Sequence, residues 1–147
     1  MLALLLAAVT GCSMADQPPA EPAEAERALQ IVIETRSVVE RAADELERRA
    51  ADRKRVGSSA SPSYGSHAGA GDDRRNAGTL RRIWDEIGRV ADLIRAGKLS
   101  NARLGLERLY WRLARGPGIG SNPTYARVLL AVQQQITEAR NLLAGRQ

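Results

Sequence analysis

Five side chains, Leu104, Arg108, Trp111, Arg112 and Arg115, stand at a spacing that suits recognition better than catalysis. Leu104, Arg108, Trp111 and Arg115 fall on one line of a helix with Arg112 beside them, offset from the apolar stripe of the same segment. Trp and Arg dominate the energetics of protein interfaces, and a guanidinium also meets a carboxylate or phosphate through two parallel hydrogen bonds. Two environments are open to Trp111 on this pattern: an exposed anchor for a partner, or a ring packed beneath a neighbouring helix. Trp84, by contrast, lies within its apolar stripe and is expected in the core.

Catalytic and metal chemistry have less to work with. The chain has one Cys, Cys12, and one His, His67, whereas a structural zinc site takes about four such ligands, and a single thiol excludes an internal disulfide. A nucleophile activated by His67 needs the ring held in geometry, but His67 sits among Ser, Gly and Ala with no packing pattern around it. Tyr64 and His67 together make at most a short docking motif that orders on binding. Glu107, Asp85 and Asp92 are the carboxylates that a muramidase-like hydrolysis would draw on, yet all three fall on solvated helix faces. No Gly-rich phosphate loop, metalloprotease helix or calcium loop is present. With no constellation of acid, base and nucleophile, the chain is not expected to be an enzyme. Its apolar residues, 24 Ala and 17 Leu with no Phe, imply closely approaching helices with little room for a cofactor, and neither metal nor cofactor is expected.

Cys12 reads differently. Residues 1–9 are entirely apolar, too short for a bilayer that needs about 20 apolar residues, and suited to the hydrophobic region of an export signal. They lead into Val9-Thr10-Gly11-Cys12, which resembles the bacterial lipobox. The resemblance implies a lipoprotein precursor: a signal peptide over 1–11, cleavage before Cys12, and acyl chains on its thiol and new amino group. At ~0.8 kcal/mol per buried methylene, two or three such chains make an effectively permanent membrane anchor. Residues 12–23, rich in Pro, Ala and polar side chains, then form the lipidated Cys and a flexible tether. The segment lacks the Lys or Arg with which signals open, so the native start is expected upstream of Met1. Ser13 follows the cysteine where Asp favours inner-membrane retention, so the resemblance implies the outer membrane, facing the periplasm, in a diderm host.

The rest of the chain supplies one domain of helices. Residues 24–56 hold no Gly or Pro before the closing Gly57, and Val32, Val39 and Leu46 recur every seven residues between Ala28/Leu29 and Ala42/Ala43. This predicts a helix ~50 Å long. Residues 57–76 contain twelve Gly, Ser or Ala in twenty positions and predict a disordered linker, long enough to return to either end of that helix. Residues 77–147 predict three shorter helices packing with it. Leu80, Ile83/Trp84, Ile87, Val90/Ala91 and Ile94 form a stripe ending at Gly97; Ser100 then reads as an N-cap, with Leu99 and Leu104 as a hydrophobic staple across it. Ala102, Leu106, Leu109/Tyr110 and Leu113 form the next stripe, closed by Gly116-Pro117. Asn122-Pro123 opens the last, which runs through Tyr125, Val128/Leu129, Val132, Ile136, Ala139 and Leu143. Residues 95–102 resemble the turn of a tetratricopeptide repeat, but no second copy follows, and an ordinary helical hairpin is expected. The expected fold is an all-α antiparallel bundle of three to four helices with a long first helix, part of which projects, kinks or meets another chain.

Charge completes the expectation. Residues 1–55 carry 10 acids and 8 bases, the remainder 7 acids and 14 bases, so the net +5 comes from the second half. A basic domain usually suggests nucleic acid, but 20 of the 22 basic residues are Arg, as in a compositionally biased genome, and an exported lipoprotein rarely meets DNA. No nucleic acid is expected. The sequence therefore points to a lipid-anchored helical protein of the cell envelope that binds another protein in an assembly, adaptor or pilotin-like role. The alternative is an Arg-rich helical module on an anionic polymer or membrane surface.

Overall fold

A computed structural model describes residues 20–59, 65–115 and 123–145, with side chains described over 20–55, 71–115 and 123–145. The signal segment, Cys12, most of the tether, Tyr64, Gly116-Pro117 and Asn122 lie outside the described residues, and of His67 only the backbone is described. The chain is all-α, with α1 (Pro22–Ser59), α2 (Gly65–Arg95), α3 (Leu99–Ala114) and α4 (Pro123–Leu143).

Each helix forms where its apolar residues recur at helical spacing, and the stripes meet in one core. Ala28, Val32, Val39, Ala43 and Leu46 of α1 join Leu80, Ile83, Ile87, Val90, Ala91 and Ile94 of α2. Ala102, Leu106 and Leu109 of α3 and Tyr125, Val132, Ile136, Ala139 and Leu143 of α4 complete it. Thr35 is a buried polar residue in the α1 stripe, and its hydroxyl donates to the Ile31 carbonyl at 2.7 Å, so its own burial leaves no hydroxyl unpaired. Burial raises the pKa of the Tyr125 phenol, opposed by a hydrogen bond with the Thr79 side chain and by the charge of Arg82. The fold thus favours the neutral phenol, and that contribution is intact below the ordinary tyrosine pKa and lost as pH rises through the raised one.

Cross-helix pairs fix the directions. Arg53 meets Asp73 at 3.0 Å, and Arg81 bridges Asp44 at 2.5 Å and Glu47 at 3.2 Å, so α2 runs antiparallel to α1. The two carboxylates push the already high Arg81 pKa further up, Glu47 contributing most. Arg27 pairs with Glu138 while Leu46 lies near Tyr125, which sets α4 antiparallel to α1. Gly105 faces Val90, and Arg112 pairs with Glu86, which sets α3 antiparallel to α2. The result is an up-down-up-down bundle in which α2 and α4 each lie between α1 and α3.

Two expectations about boundaries change. Residues 57–59 belong to α1 and residues 65–76 to α2, where an unstructured linker was expected, and the connection outside the described residues is 60–64. Low apolar content argued for disorder, but Asp73 is 2% exposed and pairs with Arg53, so the end of this stretch packs against α1. A connection this short also removes the freedom of direction that a twenty-residue linker allows. The length mismatch is resolved the same way: α2, 31 residues long, accompanies the far half of α1, so α1 and α2 extend together as a two-helix arm beyond the start of α4 near Leu46 and Arg49.

The second change is at the α2–α3 turn. Gly97 adopts φ +69°, its N–H reaches the Ile94 carbonyl, and the Lys98 N–H reaches that of Leu93, each at 2.9 Å. This is a Schellman closure, as Gly97 suggested. It turns the chain so tightly that α3 begins at Leu99, with Lys98 at the N-cap and no side-chain cap; Ser100 is inside the helix. Leu99 packs against the core whereas Leu104 is 46% exposed, so the two face different surroundings.

Candidate functional site

The outer face of α3 carries the five residues singled out by spacing. Leu104 is 46% and Trp111 50% exposed, which decides between the two environments for Trp111: the ring is not covered by a neighbouring helix. It stands edge-on to Tyr110, with centroids 5.5 Å apart and planes at 79°, and Tyr110 in turn has the Arg140 guanidinium 5.1 Å from its ring centre. Trp111 is thus steadied from one side by an aromatic contact while its other surface meets solvent. Arg108 and Arg115 are exposed, and Arg112 pairs with Glu86 across to α2.

Tertiary structure adds a second wall that sequence did not indicate. Between α2 and α3 runs an open groove of about 480 Å³, lined by Glu86, Arg89, Val90 and Leu93 from one helix. Asn101, Leu104, Gly105, Arg108 and Arg112 line it from the other. Val90 is buried and Leu93 half-buried, so the floor is apolar and the rim basic. Among the described residues no ion pair or hydrogen bond engages the side chains of Arg89, Arg108 or Arg115. Glu86, the one carboxylate of the lining, is already engaged by Arg112, so it leaves the other arginines uncompensated.

Gly105 sets the depth of this groove. A Cβ built there comes 2.9 Å from a Val90 methyl, which is inside van der Waals contact. A helix-interior glycine costs roughly 1 kcal/mol relative to alanine, and that cost is the sequence signal that the groove left: the glycine sits where α3 must approach α2. Gly105→Ala is expected to lose about 1 kcal/mol net, since the ~1–3 kcal/mol of overpacking exceeds the gain in helix propensity. The double variant Val90→Ala/Gly105→Ala should be about 1 kcal/mol more stable than the sum of the single effects, as measured by urea unfolding. Simple additivity would place the two residues out of contact.

A second cluster lies between α1 and α2. The Arg36 guanidinium stacks 3.7 Å from the Trp84 ring centre and runs past Gly88, where an added Cβ would come 3.1 Å from it. Trp84 packs against the core, as its stripe predicts, but it is half-buried beneath this arginine, and its indole nitrogen and the Arg36 Nε are buried without hydrogen-bond partners among the described residues. A cation on the face of an indole contributes about 0.5–2 kcal/mol, so the cluster serves to clamp α1 to α2.

The carboxylates considered for hydrolysis are not gathered into a site. Asp92 pairs with Arg95 at 2.9 Å on the same helix, Asp85 is exposed, and Glu107 is not part of the groove lining. Among the described residues no three His, Cys, Asp or Glu stand together as metal ligands, and no helix is long and apolar enough to cross a membrane. No protein-family model matches the chain, nor does any of the curated proteins or solved structures compared with it.

Proposed function

We propose that this protein is a lipid-anchored, non-enzymatic helical bundle of the bacterial cell envelope that acts by binding another protein, as an assembly or adaptor lipoprotein does. The observation that carries the binding role is the exposed pair Leu104 and Trp111 beside a groove with an apolar floor and unengaged arginines. An isolated exposed leucine needs no explanation; a half-exposed tryptophan on the same helix as a concave apolar strip with a basic rim has the make-up of an interface centre. The anchoring role rests on the lipobox resemblance of Val9-Thr10-Gly11-Cys12. The start of α1 lies at the bundle end shared with the α2–α3 turn and the end of α4, so a tether from Cys12 holds that end nearest the membrane and directs the α1–α2 arm away from it.

Two measurements test this. Globomycin treatment or Cys12→Ser is expected to leave an uncleaved or unlipidated chain that no longer partitions with membranes; a cytosolic chain with Met1 intact in untreated cells is the opposing result. For the binding role, a photo-crosslinking residue at position 111 in the lipidated protein should give a discrete adduct with an envelope protein. Trp111→Ala should lower that partner's affinity by on the order of 30-fold, the effect of losing a central aromatic anchor worth about 2 kcal/mol. The alternative, an anionic polymer or membrane surface, is favoured by the unengaged arginines and predicts instead a steep fall of binding with salt, joined for a polymer by indifference to Trp111→Ala.

A further inference from the structure

We infer that the α2–α3 groove seats one amphipathic helix of the partner protein, with that helix's apolar stripe on Val90, Leu93 and Leu104 and its carboxylates on Arg89 and Arg108. The inference rests on the protein-binding reading above and specifies the chemistry of the occupant.

Three features of the groove select this occupant. The first is shape. On α3 the lining runs from Asn101 to Arg112, about three helical turns or 16 Å, along a cleft between two antiparallel helices. A third helix laid in such a cleft packs its side chains into the ridges of both, and three turns accept apolar anchors at i, i+3 or i+4, and i+7.

The second is the placement of charge. Arg89 projects from the α2 wall and Arg108 from the α3 wall, and neither has an ion pair or hydrogen bond among the described residues. A helix whose apolar stripe is bordered on both sides by Glu or Asp meets both arginines at once, each guanidinium taking a carboxylate through paired hydrogen bonds. A basic or neutral helix would leave these charges desolvated without compensation. Because Glu86 is held by Arg112, the groove offers no free carboxylate that would welcome a basic partner.

The third is the floor. A phosphate-rich polymer would be drawn by the arginines but would gain nothing from Val90, Leu93 and Leu104, and a flat headgroup surface takes up the exposed Leu104 or Trp111 without reaching the recessed floor at Val90 and Leu93. An acidic amphipathic helix uses both sets, and Gly105 supplies the close helix approach that keeps the floor shallow enough to reach.

The test is selection of a displayed library of 16-residue helical peptides against the full chain, followed by affinity measurements on variants. Selected sequences are expected to carry Leu, Ile or Met at i, i+3 or i+4, and i+7 with Glu or Asp on both borders. Their affinity should fall at least tenfold on Arg89→Glu/Arg108→Glu and on Leu104→Asp, and stay unchanged on Arg127→Glu on the exposed face of α4. Peptides with Lys in place of the bordering acids should bind the Arg89→Glu/Arg108→Glu variant in preference to the parent. All these substitutions are at exposed or rim positions, and circular dichroism confirms the fold of each variant. The inference is overturned if selection yields nothing, if the winners are not acidic, or if they bind the charge-reversed variant equally well. It is also overturned if polyphosphate or anionic vesicles displace them in a manner indifferent to Leu104→Asp, or if a second copy of the chain fills the groove. Should it fall while the crosslink at position 111 persists, the adaptor reading stands and the occupant's chemistry alone is wrong.

Discussion

Leu106→Ala is expected to lower the unfolding free energy by about 3–4 kcal/mol, toward the upper part of the range for burying a void in place of a leucine side chain. Leu106 is 0% exposed and belongs to a core cluster fed by all four helices. What decides the size of the effect is how far the surroundings collapse. Here the helices already approach through alanines, Ala28, Ala43, Ala102 and Ala139, all fully buried, so the backbones have little distance left to close. The loss corresponds to a melting temperature lower by roughly 10–20 °C for a domain of this size. Urea unfolding should show a lower midpoint with an unchanged slope, because the same surface is exposed on unfolding. A loss below about 1 kcal/mol would place α3 outside the cooperative core.

Arg74→Pro is expected to cost about 3 kcal/mol and to reduce helical circular dichroism, although Arg74 is exposed and no ion pair or hydrogen bond among the described residues engages its side chain. The residue lies nine positions after Gly65, well inside α2, so proline removes the amide donor to residue 70 and its ring crowds that carbonyl. In a flexible linker the same change would be neutral within about 0.5 kcal/mol, or slightly stabilising through the unfolded chain. The substitution thus separates an ordered arm from an unstructured connection. Loss of the arm should also relieve the Arg53–Asp73 pair, visible as faster amide exchange at Ala50 and Ala77 with the four-helix section still protected.

In the stretch that this second variant probes, the helices extend further than composition indicates. Composition was the signal used for residues 57–76, and composition reports whether a segment can bury apolar surface by itself. It does not report whether an existing helix lies alongside. Asp73 is buried because α1 passes it and Arg53 reaches it, a contact twenty residues away in the chain. The N-terminus of α3 failed for a related reason: Ser100 is a good cap in isolation, but the closure at Gly97 fixed the start of the helix first. By contrast the four stripes were legible nearly residue by residue, from Val32, Val39 and Leu46 to Val132, Ile136 and Leu143, because a helix buries whatever its 3.6-residue period places on one face.

The candidate site divides along the same line. Leu104, Arg108, Trp111, Arg112 and Arg115 were recognised from α3 alone, since an offset line of apolar, aromatic and basic residues is a local pattern. Arg89 and Leu93 carry no such mark on α2, and Glu86 acquires its meaning from Arg112 on the neighbouring helix. Sequence by itself determined the class of the fold, the buried face of the helices and the α3 wall of the groove. The tertiary structure alone decided that α2 accompanies α1 to form an arm, that Trp111 stays uncovered, and that Gly105 brings α3 close enough to Val90 to make a groove. The physical reason is that helix amphipathicity is a property of neighbours a few residues apart, whereas a groove exists in the space between two helices, set by their length, direction and distance.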